Sequence, residues 1–424
     1  MLPGKCRTVV IVAGLSCPAL ACQVGDAPAD EPGTVVVQDS AGIEIVESIT
    51  PAWDGDGWRV SAEPGLVIGR MSGDERYLFG EVAGAVVLRD GRVAVVDGQA
   101  ALIRVYSTDG VHIEDWGGSG EGPGEFSGRP RKIFPYRGDS ILVEQFANHG
   151  SNIYDDRGRF GRAVAPEMWV RFNYDRVSLG FGPSMSAVKT CCTLWGALPN
   201  GAFLGSYSEM LPYPGSGTMR ASIVAAITPE SGSAPESAGV FAGGQYQFEP
   251  EGGVSDLQFQ FRFSMAVGPD GYFVTEGDAY SINSYDTSGR LRRIIRLARE
   301  PRPVTDEVRA AHEARLREET SPEDEEWLRR RLAVPYPTHL PAFEWLHADS
   351  EDNLWARQRR YGADHGVAGA NTYEFFVFAP DGRHLGMIEL PAGLEVYQIG
   401  ADFMLGKVSD EFDVDYVHLY RIEK

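Results

Sequence analysis

Cysteine is scarce in this sequence. Five are present among 424 residues, and three of them, Cys6, Cys17 and Cys22, fall within the first 22 positions. That excludes a small disulfide-stapled framework. Cys191 and Cys192 are the remaining two and they are adjacent. No second pair exists to complete a tetrahedral zinc site around them. They read either as a vicinal disulfide, strained and labile in an oxidising compartment, or as two half-buried thiols on a strand. Positive charge is also short, with 39 Lys and Arg against 60 Asp and Glu and a formal net charge of −21. A nucleic-acid binder needs a basic footprint to displace counterions, so that class is excluded. Electrostatic docking on anionic lipid is disfavoured for the same reason. No apolar run approaches the roughly 20 residues that carry a helix across a bilayer.

Familiar catalytic signatures are missing as well. The glycine-rich stretch Gly117 to Gly124 lacks the Gly-Lys-Ser/Thr ending of a phosphate-binding loop. No Gly-x-Ser-x-Gly elbow and no His-Glu-x-x-His pair occurs. The eight histidines are scattered, and His149, His347 and His365 read as polar residues near turns.

The N-terminus carries a clear local signal. Lys5 and Arg7 precede an apolar stretch from Val9 to Leu15 that resumes at Ala19 and ends in small residues. This is the layout of a secretory signal over residues 1–22. Ala19-Leu20-Ala21-Cys22 resembles the lipobox of bacterial lipoproteins, which implies lipidation at Cys22 and attachment to a membrane through that lipid alone. Gly14-Leu15-Ser16-Cys17 is a weaker second candidate. Plain cleavage after Ala21 is the other reading. Residues 23–41, acidic and proline-bearing, suit a flexible tether.

From there the chain repeats itself. A turn rich in Asp, Asn and Gly precedes a short apolar strand, a polar interruption and a second strand. Six copies are legible. Their first clear strands are Val93–Asp97, Ile141–Glu144, Ala202–Gly205, Tyr272–Thr275, Leu354–Arg357 and Phe403–Gly406. Asp-Gly and Asn-Gly favour the positive φ that tight hairpins require. The runs between them are β-branched or aromatic, as half-buried strands are. A small antiparallel sheet cannot cover both its own faces. Packing such sheets radially covers them all and leaves only short edges. The reading is therefore all-β: a six-bladed β-propeller over 42–424. N-terminal strands within Gly42–Val46, Trp58–Val60 and Gly65–Gly69 are expected to complete the sixth blade, since closure removes free edges. One segment departs from the pattern. Residues 304–333 are rich in Ala, Arg, Glu and Leu, and Ser321-Pro322 is a helix start, so a helical hairpin is expected after the fourth copy. Its Arg/Glu face is either solvated or a lid or docking arm over one end.

The first copy resembles the NHL type of propeller repeat, through Gly117-Gly118-Ser119-Gly120-Glu121-Gly122-Pro123-Gly124-Glu125-Phe126 and then Pro130. The whole is similar to six-bladed propeller lipoproteins of bacteria. That resemblance implies fold and location, with little about chemistry.

The strands of the six copies end at Asp97, Glu144, Ser206, Glu276, Arg357 and Lys407, polar residues expected to cluster at one channel mouth. Three carboxylates facing one opening could hold a divalent cation such as Ca2+ through oxygen ligands. They could equally pair with Arg357 and Lys407. Propeller lactonases hold a catalytic calcium in such a position, and the resemblance makes a metal-dependent hydrolase or lyase the alternative. Asn148 and Asn283 follow the relevant strands, in a register that does not match that family. A binding scaffold for a small molecule or protein is the leading expectation. A cell-envelope assembly factor is the third. The chain is read as a monomer.

Overall fold

The computed structural model describes residues 10–12, 32–55, 57–146, 150–164, 188–210, 216–231, 234–248, 254–359, 373–391 and 393–424. Cys17, Cys22, Asn148, His149, His365 and the side chains of Cys191 and Cys192 lie outside that description.

The described strands form six sheets, here numbered I to VI. Sheet I holds Val82–Val87, Val93–Asp97, Leu102–Tyr106 and His112–Gly117. Sheet II holds Pro130–Pro135, Ile141–Gln145, Ser151–Tyr154 and Phe160–Val164. Sheet III holds Val188–Ala197, Phe203–Met210, Gly217–Thr228 and Glu236–Phe248, with Val254–Asp256 added at its edge. Sheet IV holds Ser264–Gly268, Gly271–Thr275, Ser281–Asp286 and Leu291–Leu297. Sheet V holds Trp345–Ala348, Leu354–Arg359, Tyr373–Phe378 and His384–Glu389. Sheet VI holds Glu395–Ile399, Phe403–Ser409 and Asp415–Glu423. Within each, consecutive strands pair antiparallel. The molecule is mostly β, in a form compatible with a β-propeller.

The chain thus contributes its strands in order from one side of each sheet to the other. The opening strand of each sheet packs on the opening strand of the next, and that of sheet VI packs on that of sheet I. These inner strands run the same way. Ser264, at the start of one, accepts a hydrogen bond on Oγ from the amide of Leu346, at the start of the next, at 3.0 Å. Close approach demands small residues there: a Cβ on Gly84 would stand 3.1 Å from Ile133, and one on Gly196 3.2 Å from Val267.

Six apolar clusters fill the spaces between consecutive sheets. Val93–Asp97 is buried along its whole length because both faces are covered, which is why its apolar residues run without alternation. The hairpin turns share a clasp. Asp155 caps the amides of Arg157 and Arg159 and holds the Arg159 guanidinium at 2.7 Å. Asp90 with Arg92, Asp286 with Arg290 and Asp381 with Arg383 repeat it.

The N-terminal strands depart in part from expectation. Arg59–Val60 and Leu66–Ile68 do pair with Asp415–Glu423 of sheet VI. Ile43–Ser48 does not. It lies parallel to Leu291–Leu297 of sheet IV, with Val35–Ser40 outside it. The stretch read as tether therefore contains a paired strand. Between these anchors Ala52 and Trp53 donate their amides to His384 and Leu385 of sheet V. The segment is a belt around the outer edges of sheets IV, V and VI. It is held where it is because Trp58 packs, with tilted rings, against Trp53 at 5.4 Å and the buried Trp355 at 6.0 Å.

The helical hairpin stands where the sequence puts it. Helix α1 is Asp306–Glu319, capped by Thr305, and helix α2 is Glu325–Ala333, entered through a one-turn segment at Pro322–Asp324 capped by Ser321. Only Leu316 of the two helices is buried. No described helix is long and apolar enough to cross a membrane.

Candidate functional site

Antiparallel connectivity divides the connections between two ends. Inner strands of one direction put every first-to-second and third-to-fourth turn at one end. The second-to-third turns and the links between sheets fall at the other. Tight Asp-Gly and Asn-Gly turns such as Asp90-Gly91, Asn200-Gly201 and Asp381-Gly382 belong to the first end, with Asp97-Gly98 of sheet I an exception at the second. The long connections all belong to the second, including residues 298–344 with the helical hairpin. Loops freed from tight-turn geometry are where binding residues concentrate.

Of the six residues expected at strand ends, Asp97, Glu144 and Glu276 lie at or beside the ends of their strands at this loop-bearing end, while Ser206, Arg357 and Lys407 lie inside strands that run on to Met210, Arg359 and Ser409. Their strands are second in each sheet, and the inner strands are ones the repeat grammar did not single out. In register, Asp97 stands opposite Val82, Glu144 opposite Lys132, Ser206 opposite Thr193, Arg357 opposite Trp345 and Lys407 opposite Glu395. Glu276 follows Thr275, which faces Ser264. So five of the six stand near the openings of the inner strands, while Ser206 faces the middle of Val188–Ala197.

Most of them are engaged with their own neighbours. Asp97 is buried, accepts from the amide of Ala100 at 3.0 Å, and pairs with Arg104 at 3.5 Å. Glu144 is buried and pairs with Arg131 at 3.1 Å. Glu276 accepts from the amide of Ala242 at 2.7 Å. Lys407 reaches Glu395 at 3.3 Å and Asp415 at 3.8 Å. Among the described residues no three His, Cys, Asp or Glu side chains gather in a way that could hold a metal ion. Asn283 lies inside Ser281–Asp286, paired with Val274 and Ile294.

Ser206 and Arg357 belong to a different arrangement, built on aromatic rings. Ser206 accepts the indole N–H of Trp195 at 2.8 Å. Trp195 meets Trp345 with ring centroids 5.9 Å apart and Phe263 at 5.8 Å. Trp195 is on the inner strand of sheet III and Trp345 opens that of sheet V. The two bridge over the start of sheet IV. Trp345 is 36 % exposed. Arg357 lies over the Tyr373 ring at 4.2 Å and beside the Trp345 ring at 5.9 Å. Next along the inner strand, His347 has its ring 6.3 Å from that of Trp345, and burial, with the Arg357 charge second, pushes its pKa down to about 3. It is a neutral wall. Lys132 donates Nζ to the Leu194 carbonyl at 3.2 Å, and burial lowers its pKa.

Other large apolar side chains stand exposed at the same end: Phe146 after sheet II's second strand, Trp327 on α2 and Phe412 in a sheet VI turn. The hairpin itself is docked on residues 256–259. Gln258 donates to the Arg331 carbonyl at 2.7 Å and meets the His312 ring at 2.9 Å, while Phe259 packs on His312 at 4.7 Å. Sequence reasoning missed Trp195 and Trp345, because no turn signal precedes the inner strands.

No protein-family model matches the sequence, and no curated protein matches it. Solved structures similar to it include a member of the DUF4221 family from Bacteroides vulgatus, at a TM-score of 0.49 and 10% identity over 87% of this chain and 99% of that one. A gluconolactonase from Xanthomonas campestris is similar at a TM-score of 0.38 and 10% identity, over 86% and 100%. Virginiamycin B lyase from Staphylococcus aureus is similar at 0.36 and 11%, over 87% and 100%.

Proposed function

We propose that the chain is an exported six-bladed β-propeller that binds a ligand at its loop-bearing end, over the openings of the inner strands. The observation that carries this reading is segregation. Long connections, the helical hairpin, exposed aromatics and the Trp195–Trp345 bridge share one end, while the other end is closed by two- to seven-residue turns, several of them clasped by Asp–Arg pairs. Stability alone asks for no such asymmetry. The unbroken series of inner-strand contacts from sheet I to sheet VI and back supports six blades. The pairing of residues 59–60 and 66–68 with Asp415–Glu423 supports closure by the N-terminal segment.

A thermal-shift screen of the full chain against sugars, sugar acids, aromatic acids, short peptides and Ca2+ tests the function, with hydrogen exchange locating each hit. Protection is expected at Trp345–Ala348 and residues 257–263. Protection confined to the first-to-second and third-to-fourth turns instead overturns the reading. Stabilisation by Ca2+ alone that is lost in Glu144→Gln and Glu276→Gln favours the metal-dependent alternative. Export with lipidation at Cys22 is tested by acyl labelling in a bacterial host. Incorporation is expected, and it disappears in Cys22→Ser.

A further inference from the structure

We propose that Lys132 is a covalent capture site, whose side-chain amine condenses with a small aldehyde or ketone to form an imine. Such a step goes beyond binding at the loop-bearing end, because it assigns bond-making chemistry to one side chain. The sequence already sets that side chain apart. Five of the 39 Lys and Arg residues are lysines, namely Lys5, Lys132, Lys189, Lys407 and Lys424, so arginine takes nearly every cationic position. A guanidinium stays protonated inside a protein, whereas an ammonium gives up its proton when water is withheld. Lys407 and Lys424 serve as plain cations, the first held by Glu395 and Asp415 and the second by Glu351. Lys132 is placed differently.

Its setting follows from the strand it sits on. Pro130 opposes Gln145 and Lys132 opposes Glu144, so Arg131 is the extra residue of a bulge. A bulge breaks the alternation of side chains and re-aims them. Arg131 takes Glu144, at 3.1 and 3.4 Å. Lys132 crosses instead to sheet III, where Nζ donates to the Leu194 carbonyl at 3.2 Å. That carbonyl precedes a second bulge, since Leu194 and Gly196 oppose Gly205 and Leu204 and leave Trp195 extra. Among the described residues no carboxylate forms an ion pair with Nζ. The side chain is half-buried, so a small molecule can reach it while water solvates it poorly. Burial lowers its pKa, with the Glu144 charge opposing that shift and the Arg131 charge adding to it.

A lower pKa raises the share of neutral amine, which is the nucleophile. With one N–H held by a fixed carbonyl, the lone pair of that amine is left to meet an incoming carbonyl carbon. The nitrogen–carbon bond forms first, giving a carbinolamine. Its oxygen then leaves as water with both amine hydrogens, and the C=N bond remains. No oxidant or reductant is consumed.

The full chain is to be treated with acetaldehyde or acetone in the presence of cyanoborohydride, which fixes imines as stable amines, and each lysine quantified by peptide mass mapping. Lys132 is expected to react about tenfold faster than Lys407 and Lys424 at pH 7, the gain in neutral amine that follows from a modest fall in pKa. Its rate should level off below pH 10.5, the ordinary lysine value. Glu144→Gln removes the opposing charge and should move that profile to lower pH. Lys132→Arg keeps the charge, and should remove the fast phase of incorporation while leaving the melting curve unchanged. Labelling of Lys132 no faster than that of Lys424, or a profile indifferent to Glu144→Gln in a folded variant, overturns covalent capture. Ligands that protect the loop-bearing end from hydrogen exchange while Lys132 shows no preference sink capture and leave the binding face standing.

Discussion

Asp97 illustrates how a polar strand end serves the fold. Its carboxylate joins the Ala100 amide to the Arg104 guanidinium, and both ionic partners are nearly enclosed. Removing one partner of such a pair leaves the other charge buried. Asp97→Ala is therefore expected to cost about 3–5 kcal/mol in denaturant unfolding. Asp352 is the reverse case. Its Oδ1 is buried with no hydrogen-bond partner, and burial, with Asp270 and Asp349 nearby, raises its pKa from 3.8 to about 6. The folded state then holds the extra proton, so the stability present below pH 3.8 is lost as pH rises through 6. Asp352→Asn should raise the melting temperature at pH 7.5, and the gain should vanish near pH 4. His384 acts oppositely, because burial pushes its pKa from 6.5 down to about 4 while the ring meets the Gly386 carbonyl at 3.1 Å. The unfolded chain binds more protons in that window. Stability present above pH 6.5 is lost toward pH 4, and His384→Gln should flatten that part of a pH-melting profile.

At the scale of elements, the helical hairpin and the N-terminal belt differ in what they bury. The hairpin's flanks are already joined, since Val304 donates to Thr338 and Leu340 to Arg302, at 3.1 and 2.8 Å. Its helices bury only Leu316. Replacing residues 305–337 with a two-residue turn should leave the β circular-dichroism spectrum unchanged and shift the melting temperature by only a few degrees. Collapse of the fold would show that the hairpin is part of the core. The belt is different. Trp58 packs on Trp53 and Trp355 in the core between sheets V and VI. Trp58→Ala should cost about 3 kcal/mol, by analogy with other aromatic truncations. The hairpin was legible because Ser321-Pro322 and the Glu/Arg spacing act locally. The belt's route was not. Ile43–Ser48 reads only as a strand, and its choice of sheet IV over sheet VI depends on which edge lies within reach.

For the whole molecule, the seam between sheets VI and I joins the two ends of the chain's path. Tyr397 donates to the Val82 carbonyl at 2.8 Å, Asp415 accepts from the Val82 amide at 2.9 Å, and Gln398 accepts from the Val87 amide at 2.7 Å. These bonds link residues more than 300 positions apart, so they form only when the rest has assembled. Tyr397→Phe should cost about 1 kcal/mol. Deleting Asp415–Lys424 should abolish cooperative unfolding, read as the loss of a single calorimetric transition.

Six copies of a turn-and-strand unit, a helical interruption and an acidic surface were determined by the sequence alone, because turn chemistry, strand propensity and capping act over a few residues. The long connections were visible too, though only as gaps in the pattern. Tertiary structure decided which strand of each copy is innermost, where the belt attaches, and that Trp195 and Trp345 meet across an intervening sheet. Those outcomes depend on how sheet faces pack against one another, and no local periodicity encodes the distance between two tryptophans 150 residues apart.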